Sequence, residues 1–413
     1  MLDVRVNGER IWNDIQTLAG YTATPGAGVT RLTFSREDVM ARRYVAARMR
    51  EAGLRVVTDQ WGNIHGSLEG REPGLPPLVA GSHIDSVPHG GAFDGVVGSI
   101  GAIEAARCIH EAGIRIARSL EVVIFAEEEG FRFGAGTVGS CGLSGRAKEA
   151  ELLSLRDSDG ITYGEALRNV TEGERLLPGR LETGAILGML QLHIEQGTVL
   201  DGAGVSIGVV EGIAGIRQID VEIRGTANHA GATPMQGRRD ALACMAEAAV
   251  RLEHTAKREM GPATVLTLGW VSVSPNVPNV IPGMVRFTVD LRDPCGEHLP
   301  RHLERVEGLI REIAGGRGLE AKISPRSASD PVSCSGEFTS TIRDAAQRRG
   351  FSWMDMYSGA VHDSCMLAMI APVGMVFVPS VKGRSHCPEE YTTPGDVERG
   401  VQVLLDSVLA LIG

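Results

Sequence analysis

The sequence predicts an α/β protein with a mixed sheet and helices on both faces, interrupted by a smaller inserted α+β domain. Short, continuously apolar runs separated by helical stretches predict the larger domain, because strands covered on both faces have this composition. Between about residues 210 and 325 the strands instead alternate strictly, which indicates one wet face. We therefore expect residues 1–209 and 326–413 to form the larger domain and 210–325 the inserted one.

The larger domain is predicted to contain a helix over residues 35–52. Ser35-Arg-Glu-Asp38 resembles a capping box, and apolar residues follow at helical spacing. Residues 78–81 and 122–126 are short apolar strands separated by a helix-like stretch over 97–112. This order is a β-α-β unit, so the two strands are predicted to be parallel.

The inserted domain is predicted from two alternating strands, 218–224 and 285–292. Helical stretches over 239–257 and 299–314 follow them in turn. The clearest stretch that resembles a linker is Ala314-Gly-Gly-Arg-Gly318.

Composition excludes several classes of protein. The 413 residues are 43% hydrophobic and 22% charged, which is typical of globular proteins and rules out disorder. A net charge of −10 without a basic block makes nucleic acid and anionic membranes poor partners. Pro and Gly interrupt the longest uncharged runs, 260–285 and 364–381, so neither is expected to span a membrane. No signal-peptide pattern precedes them, so we expect a cytoplasmic protein with reduced cysteines.

Both strands of the β-α-β unit run directly into polar clusters. His83-Ile-Asp85 follows the first and Glu127-Glu-Glu129 the second. In open α/β sheets, ligands bind at the carboxyl ends of strands, so the two clusters are expected to share one crevice.

These clusters, with two others, offer the ligands of a hydrolytic metal site. Imidazole and carboxylate together, with open positions for water, suit zinc, manganese, cobalt or nickel without choosing between them. The candidate segments are His83 to Asp85 with Asp94 downstream, Glu127 to Glu129, His193 to Gln196, and Ser385 to Pro388.

Each cluster also has a simpler interpretation. A single histidine such as His83 is usually a partly buried polar residue, although Asp85 is placed to accept its second ring N–H. Three consecutive glutamates are often a solvated charge run. After a buried strand, however, like charges repel one another unless a cation neutralises them. One glutamate could then bind metal while its neighbour acts as a general base.

The inserted domain has a polar cluster of its own. It comprises Asn228-His-Ala-Gly-Ala-Thr-Pro234, Asn276, Asn279 and Arg292. Arg292 falls on the wet face of its strand, where a guanidinium beside amide groups would bind a carboxylate well. Most surface arginines have no such role.

Taken in order, these segments resemble one family. The motifs are Gly-Ser-His83-x-Asp85 with Asp94, Glu-Glu-Gly-x-Arg-Phe133, His193-x-Glu-Gln-Gly197, Asn-His229-Ala-Gly-Ala-Thr-Pro and Ser-His386-x-Pro-Glu. Together they resemble the hydantoinase/carbamoylase branch of the dimetal aminoacylase and carboxypeptidase G superfamily. The resemblance runs from about residue 60 to 395.

The resemblance implies a centre of two divalent ions. Asp94 would bridge them, His83 and His386 would bind separate ions, and Glu129 and His193 would complete the ligands. Glu128 would be the base, with Asp85 behind His83. The wider superfamily pattern, Glu-Glu-x-Gly, would instead select Glu127 and Glu128, so the register of the triplet stays open.

In relatives the inserted domain is a lid and dimerisation module. The resemblance implies a homodimer in which His229 reaches the partner subunit's site, and a substrate carboxylate held by Arg292 and Asn279 near Gln196 and Gly359. Relatives commonly have glycine at the position of Val361, so the loop over residues 358–362 departs from their pattern.

The function that the resemblance implies is metal-dependent hydrolysis of the ureido C–N bond of an N-carbamoyl-L-amino acid, giving amino acid, ammonia and carbon dioxide. Allantoate amidohydrolase, β-ureidopropionase and N-acyl-amino-acid deacylase are alternatives with the same ligands. A catalytically inactive binding protein is the alternative from another class.

Overall fold

The computed structural model describes residues 4–413, which divide into two compact units. Residues 4–211, 334–356 and 361–413 form the larger unit, and residues 212–333 and 357–360 form the smaller one.

The described residues form the following elements. The helices are α1 (Gly8–Ala19), α2 (Arg36–Glu51), α3 (Val96–Glu111), α4 (Val138–Ser144), α5 (Glu149–Leu153), α6 (Tyr163–Val170), α7 (Val199–Ala203), α8 (Ala241–Glu259), α9 (His298–Gly316), α10 (Gly336–Arg348), α11 (Asp363–Leu367) and α12 (Pro394–Ile412), with a 3-10 turn at Val381–Gly383. The strands are β1 (Arg55–Thr58), β2 (Ile64–Leu68), β3 (Leu78–His83), β4 (Leu120–Phe125), β5 (Gly188–Ile194), β6 (Ile207–Ile213), β7 (Gly215–Arg224), β8 (Asn228–His229), β9 (Val265–Thr267), β10 (Val271–Ser274), β11 (Val280–Ile281), β12 (Met284–Asp293), β13 (Glu320–Ser329), β14 (Val332–Ser333), β15 (Trp353–Ser358) and β16 (Val373–Val378).

The larger unit is built on a mixed sheet in the order β1-β2-β4-β3-β5-β16-β6. Strand β3 is parallel to β4 and β5, and β16 is parallel to β5, whereas the pairs β1–β2, β2–β4 and β16–β6 are antiparallel. Every residue of β3, β5 and β16 is buried, so both faces of the central sheet are covered. The predicted mixed α/β class is confirmed.

Local sequence explains the elements that carry this sheet. The predicted β-α-β unit is β3–α3–β4, and its strands are parallel as expected. Helix α3 is buried from Val96 to Ile109 because it packs against the sheet and against α12. The helix predicted after Ser35 is α2, and the Ser35 hydroxyl accepts the Asp38 N–H as an N-terminal cap.

A largely buried charged group lies on β2, next to the edge strand β1. His65 on β2 lies 3.0 Å from an Asp59 carboxylate oxygen and 3.5 Å from Glu121, and its side chain is 13% exposed. Burial lowers the pKa of His65, but hydrogen bonds to the two carboxylates outweigh burial and raise it to about 9. The histidine is therefore protonated at neutral pH.

The smaller unit is an antiparallel sheet in the order β10-β12-β7-β13, with β9 also paired to β12, and helices α8 and α9 pack on it. Strands β7 and β12 pair along their whole length. Alternate residues of β12, namely Val285, Phe287, Val289 and Leu291, are buried against the helices. The predicted alternation and both predicted helices are confirmed.

The end of the inserted segment and its predicted linker differ from expectation. The predicted end at residue 325 falls inside β13, which pairs with β7, and the unit continues to residue 333. The predicted linker at residues 314–318 is wrong. Helix α9 continues to Gly316, and Gly318 at a φ of 66° turns the chain directly into β13, so these glycines end a helix.

Among residues 4–413, no helix combines the length and apolar character that a membrane crossing requires. All seven cysteines are free thiols.

Candidate metal centre

The predicted metal ligands lie at the ends of strands and at loops of the larger unit. His83 is the last residue of β3, and His193 is the last but one of β5. Glu129 follows β4, Asp94 precedes α3, and His386 follows the 3-10 turn. The parallel strands β3, β4 and β5 end at the same edge of the sheet, so their polar extensions converge there.

Asp94 is at the centre of this convergence. Its Oδ1 lies 3.1 Å from His193 Nε2 and 3.6 Å from His83 Nε2. Its Oδ2 lies 3.2 Å from His386 Nε2, which is 3.4 Å from Glu129 Oε2. The ligand atoms therefore form two groups that share Asp94: one with His83 and His193, the other with Glu129 and His386.

The histidine rings are held so that Nε2 faces this centre. His83 Nδ1 lies 3.1 Å from the Asp85 carbonyl oxygen, and His193 Nδ1 lies 2.9 Å from the Ile194 carbonyl oxygen. A ring that donates from Nδ1 has a lone pair on Nε2, which is the state that a metal ligand needs. Glu129 Oε1 is buried without a hydrogen-bond partner among the described residues, and His193 Nε2 faces Asp94 Oδ1 at 3.1 Å without the geometry of a hydrogen bond. One ligand group offers two imidazoles and the other an imidazole and a carboxylate, and both share Asp94. These ligand sets fit a pair of divalent cations.

The carboxylates around the centre repel one another. Burial, with repulsion from Asp94, raises the pKa of Glu129 to about 8. Burial also raises the pKa of Glu128 well above its usual range, although His83 opposes this shift. Asp94 differs, because its three histidine neighbours outweigh burial and hold its pKa well below the usual range. Cations would relieve this repulsion, which further supports a metal centre.

Asp85 acts differently from the expectation. Its carboxylate is 3.6 Å from His83 Nδ1, and the ring nitrogen instead faces the Asp85 backbone carbonyl. The carboxylate accepts the backbone N–H groups of Glu128 and Glu129, at 3.3 and 3.1 Å. Asp85 therefore orients the acidic triplet with its side chain and His83 with its backbone.

The acidic triplet presents its members in different directions. Glu127 has a left-handed backbone, with a φ of 55°, and its buried carboxylate accepts the Phe133 N–H at 2.9 Å. Glu128 Oε2 lies 3.7 Å from His83 Nε2, and Glu129 belongs to a ligand group. This geometry favours the later register, in which Glu128 and Glu129 are the functional pair.

Gln196, expected near the substrate, contacts the centre itself. Its Nε2 donates to Asp94 Oδ2 at 2.7 Å, and its backbone is left-handed, with a φ of 60°. His386 has a similar φ of 55°. Left-handed residues other than glycine are costly and concentrate at functional sites.

Sequence reasoning missed Glu390, which is 4% exposed. Its Oε1 accepts the backbone N–H groups of Phe93 and Asp94, both at 3.0 Å, and its Oε2 accepts the Ser385 hydroxyl at 2.8 Å. It therefore fixes the backbone of the shared ligand. Its neighbour Glu389 is an exposed glutamate, so nothing local in the sequence distinguishes the two.

His362 and Asp363 are also buried beside the centre. The His362 ring packs edge-on against His193, with ring centroids 4.6 Å apart, and Asp363 accepts the Ser140 hydroxyl at 2.6 Å. Val361, where the resemblance implies glycine, does not have a positive φ. A β-branched side chain is therefore accommodated there without a left-handed backbone.

Two of the remaining predicted residues have defined hydrogen bonds within the smaller unit. His229 Nδ1 accepts the N–H groups of Gly231 and Ala232, each at 3.1 Å, which leaves the proton on Nε2. Arg292 donates to the Asp290 carboxylate and, at 2.7 Å, to the Gly359 carbonyl oxygen.

Asn279 is exposed, and its carbonyl oxygen accepts the Ala230 N–H at 2.9 Å. This bond belongs to the short β8–β11 pairing, in which His229 is opposite Val280. The pairing therefore keeps Asn279 next to the strand that carries His229.

Comparison with known proteins identifies the protein family. A sequence model of peptidase family M20/M25/M40 matches residues 79–410, and the chain belongs to this family.

Similarities along the full length of the chain identify the branch of this family. The N-carbamoyl-L-amino-acid amidohydrolase of Paenarthrobacter aurescens is 39% identical, with 98% of both chains covered. The ureidoglycolate hydrolase of Arabidopsis thaliana is 37% identical, with 97% of this chain and 85% of that protein covered. The crystal structure of an amidase of the hydantoinase/carbamoylase family from Burkholderia multivorans is 36% identical and superposes with a TM-score of 0.95, covering 100% of this chain and 99% of the other. The resemblance to the hydantoinase/carbamoylase branch is confirmed.

Proposed function

We propose that the protein hydrolyses the terminal ureido C–N bond of an N-carbamoyl-L-amino acid. One water is consumed, and amino acid, ammonia and carbon dioxide are released. The observation that carries the proposal is Asp94, whose two oxygens face two separate ligand groups. The full-length similarity to an N-carbamoyl-L-amino-acid amidohydrolase supports the choice of substrate.

His83 and His193 would hold one divalent cation with Asp94, and Glu129 and His386 would hold the second. When bound, two zinc, manganese, cobalt or nickel ions would supply Lewis acidity that polarises the ureido carbonyl group and lowers the pKa of water.

Glu128 is the proposed general base. It takes a proton from the attacking water and delivers it to the departing nitrogen, so that the C–O bond forms as the C–N bond breaks. Its carboxylate lies beside the ligand His83 but belongs to neither ligand group, so it is free for proton transfer. The carbamate that remains then loses carbon dioxide.

The proposed carboxylate clamp is Arg292 with Asn279. Gln196 and Gly359 are proposed as further substrate-binding residues. Arg292 uses three of its five N–H donors on Asp290 and Gly359, which leaves donors for a substrate carboxylate. His229 carries its proton on Nε2, and we propose that it donates to the oxyanion that develops on the ureido oxygen of a substrate in the partner subunit's site.

Ureidoglycolate is a second candidate substrate, because the Arabidopsis thaliana ureidoglycolate hydrolase is 37% identical. Ureidoglycolate, allantoate and N-carbamoyl amino acids all carry a ureido group on the carbon next to a carboxylate. The proposed clamp and metal centre suit this shared chemistry.

The test is an ammonia-release assay on the metal-reconstituted protein. The panel comprises carbamoyl-L- and carbamoyl-D-amino acids, carbamoyl-β-alanine, ureidoglycolate and allantoate, with acetyl-amino acids followed by release of the amino acid. We expect the highest kcat/KM with a carbamoyl-L-amino acid. A higher kcat/KM with another compound of the panel would make that compound the preferred substrate. If no compound of the panel is hydrolysed, the protein is better explained as a catalytically inactive binding protein.

A pair of matched variants tests the base. Glu128→Gln should keep its metal and lose turnover by about 10²-fold or more. Glu127→Gln changes the neighbouring residue in the same way and should keep most of the activity. The reverse result would assign the base to the earlier register.

From the family we also propose that the smaller unit is a lid and dimerisation module and that the protein is a homodimer. A cytoplasmic location is proposed as well. Light scattering should give twice the chain mass of 43.9 kDa, and a monomeric mass would remove the dimer.

A further inference from the structure

A second set of metal-ligating side chains lies in the smaller unit. Asp293 is the last residue of β12, and His298 and His302 are one turn apart at the start of α9. One ligand atom from each lies within 4.8 Å of the others. None of the three belongs to the centre around Asp94.

The spacing of these atoms suits a zinc ion. His298 Nδ1 lies 3.4 Å from Asp293 Oδ1, and His302 Nε2 lies 3.6 Å from Asp293 Oδ2. Both distances exceed the 2.7–3.2 Å typical of an N–H···O hydrogen bond. Two ligands about 2.1 Å from a tetrahedral zinc ion are about 3.4 Å apart. Each histidine lies at about this distance from one of the two Asp293 oxygens, which suits an ion between the side chains better than a direct hydrogen bond.

An unsatisfied atom points to the same conclusion. His302 Nε2 is buried and has no hydrogen-bond partner among the described residues. Burial removes water from this nitrogen, and no protein group replaces the lost hydrogen bond. A bound ion would supply the missing partner.

The Asp293 carboxylate of this cluster is held in place by hydrogen bonds from residues outside the cluster. Asp293 is 2% exposed, its Oδ1 accepts the Cys295 N–H at 2.7 Å, and its Oδ2 accepts the Thr264 hydroxyl. Each oxygen retains a second lone pair for a cation. The His298 side chain is 48% exposed, so the cluster is open to solvent and an ion can enter.

We propose that Asp293, His298 and His302 form a zinc site in the smaller unit, separate from the dinuclear centre. Three protein ligands leave one position for water. The ion would join the end of β12, which carries Arg292, to the first turn of α9.

The experiment measures the metal content of the full-length chain after chelator treatment and equilibration with buffered Zn²⁺. His298→Gln and His302→Gln should each hold about one ion fewer per chain than the unsubstituted protein. His254→Gln is the matched control, because His254 is an exposed histidine on α8 of the same unit. Equal metal content in all four proteins would overturn the proposal. Because the result is a difference between variants, it does not depend on how many ions the Asp94 centre holds.

A second measurement locates the ion directly. Crystals equilibrated with Zn²⁺ should show an anomalous difference peak at the zinc edge between the three side chains, and the absence of a peak would also overturn the proposal. His298 is half exposed, so its replacement should leave the circular dichroism spectrum unchanged even if His302→Gln fails to fold.

Discussion

Glu390 offers a quantitative test of how the shared ligand is positioned. Replacing it with alanine removes the acceptor of two buried N–H groups, those of Phe93 and Asp94. Ser385 keeps an acceptor, because its hydroxyl also lies 3.0 Å from Asp94 Oδ2. Each buried donor without a partner costs about 1–3 kcal/mol, so Glu390→Ala should lower the free energy of unfolding by about 2–6 kcal/mol. The loosened Asp94 should also weaken metal binding by about 10–100-fold.

Urea denaturation of the metal-free protein measures the first effect, and Zn²⁺ titration against a competing chelator measures the second. Glu390→Gln keeps an oxygen for both N–H groups, so it should restore most of the stability and metal affinity. Glu389→Ala is the exposed control and should match the unsubstituted protein. The reasoning is refuted if Glu390→Ala behaves like Glu389→Ala in both measurements.

Three further predictions concern other parts of the molecule. Gly95→Ala should sharply reduce metal content, because a Cβ there would clash with His83 Nε2 and the backbone has a φ of 67°; unchanged metal per chain would contradict this. His65→Gln should remove stability that is fully present below pH 6.5, the pKa of the unfolded state, and that is lost as pH rises through about 9. The difference in unfolding free energy should reach at most about 3 kcal/mol at pH 6 and shrink towards pH 10, and a pH-independent difference would disprove the assigned protonation. Arg292→Ala should raise KM for carboxylate substrates far more than it lowers kcat, and an unchanged KM in steady-state assays would remove the clamp.

Local patterns in the sequence were sufficient to predict much of the fold. The cap at Ser35, the apolar strands around α3 and the alternation along β12 are all set by neighbours a few residues apart. The end of the inserted segment was harder, because β13 has no clean alternation of buried and exposed residues. Its strand state depends on pairing with β7, which no local pattern records.

The candidate site was likewise predictable only in part. Its ligand types and order are visible in the sequence, whereas the residues that orient them depend on long-range contacts. Glu390 binds the backbone of Asp94 from 296 residues away, and Asp85 turns its carboxylate to the triplet instead of to His83. The left-handed backbone at Gln196 was equally unpredictable, because glutamine carries no preference for it.

The pairing of β5 with β16 determines when the centre can assemble during synthesis. Leu192 is opposite Val376, about 180 residues later, and His386 follows β16. Closing so long a loop is entropically costly, and the ribosome delivers the intervening segment first. A nascent chain therefore carries His83, Asp94, Glu129 and His193 long before it carries His386, so the second ligand group cannot form until synthesis has passed β16 and residue 386.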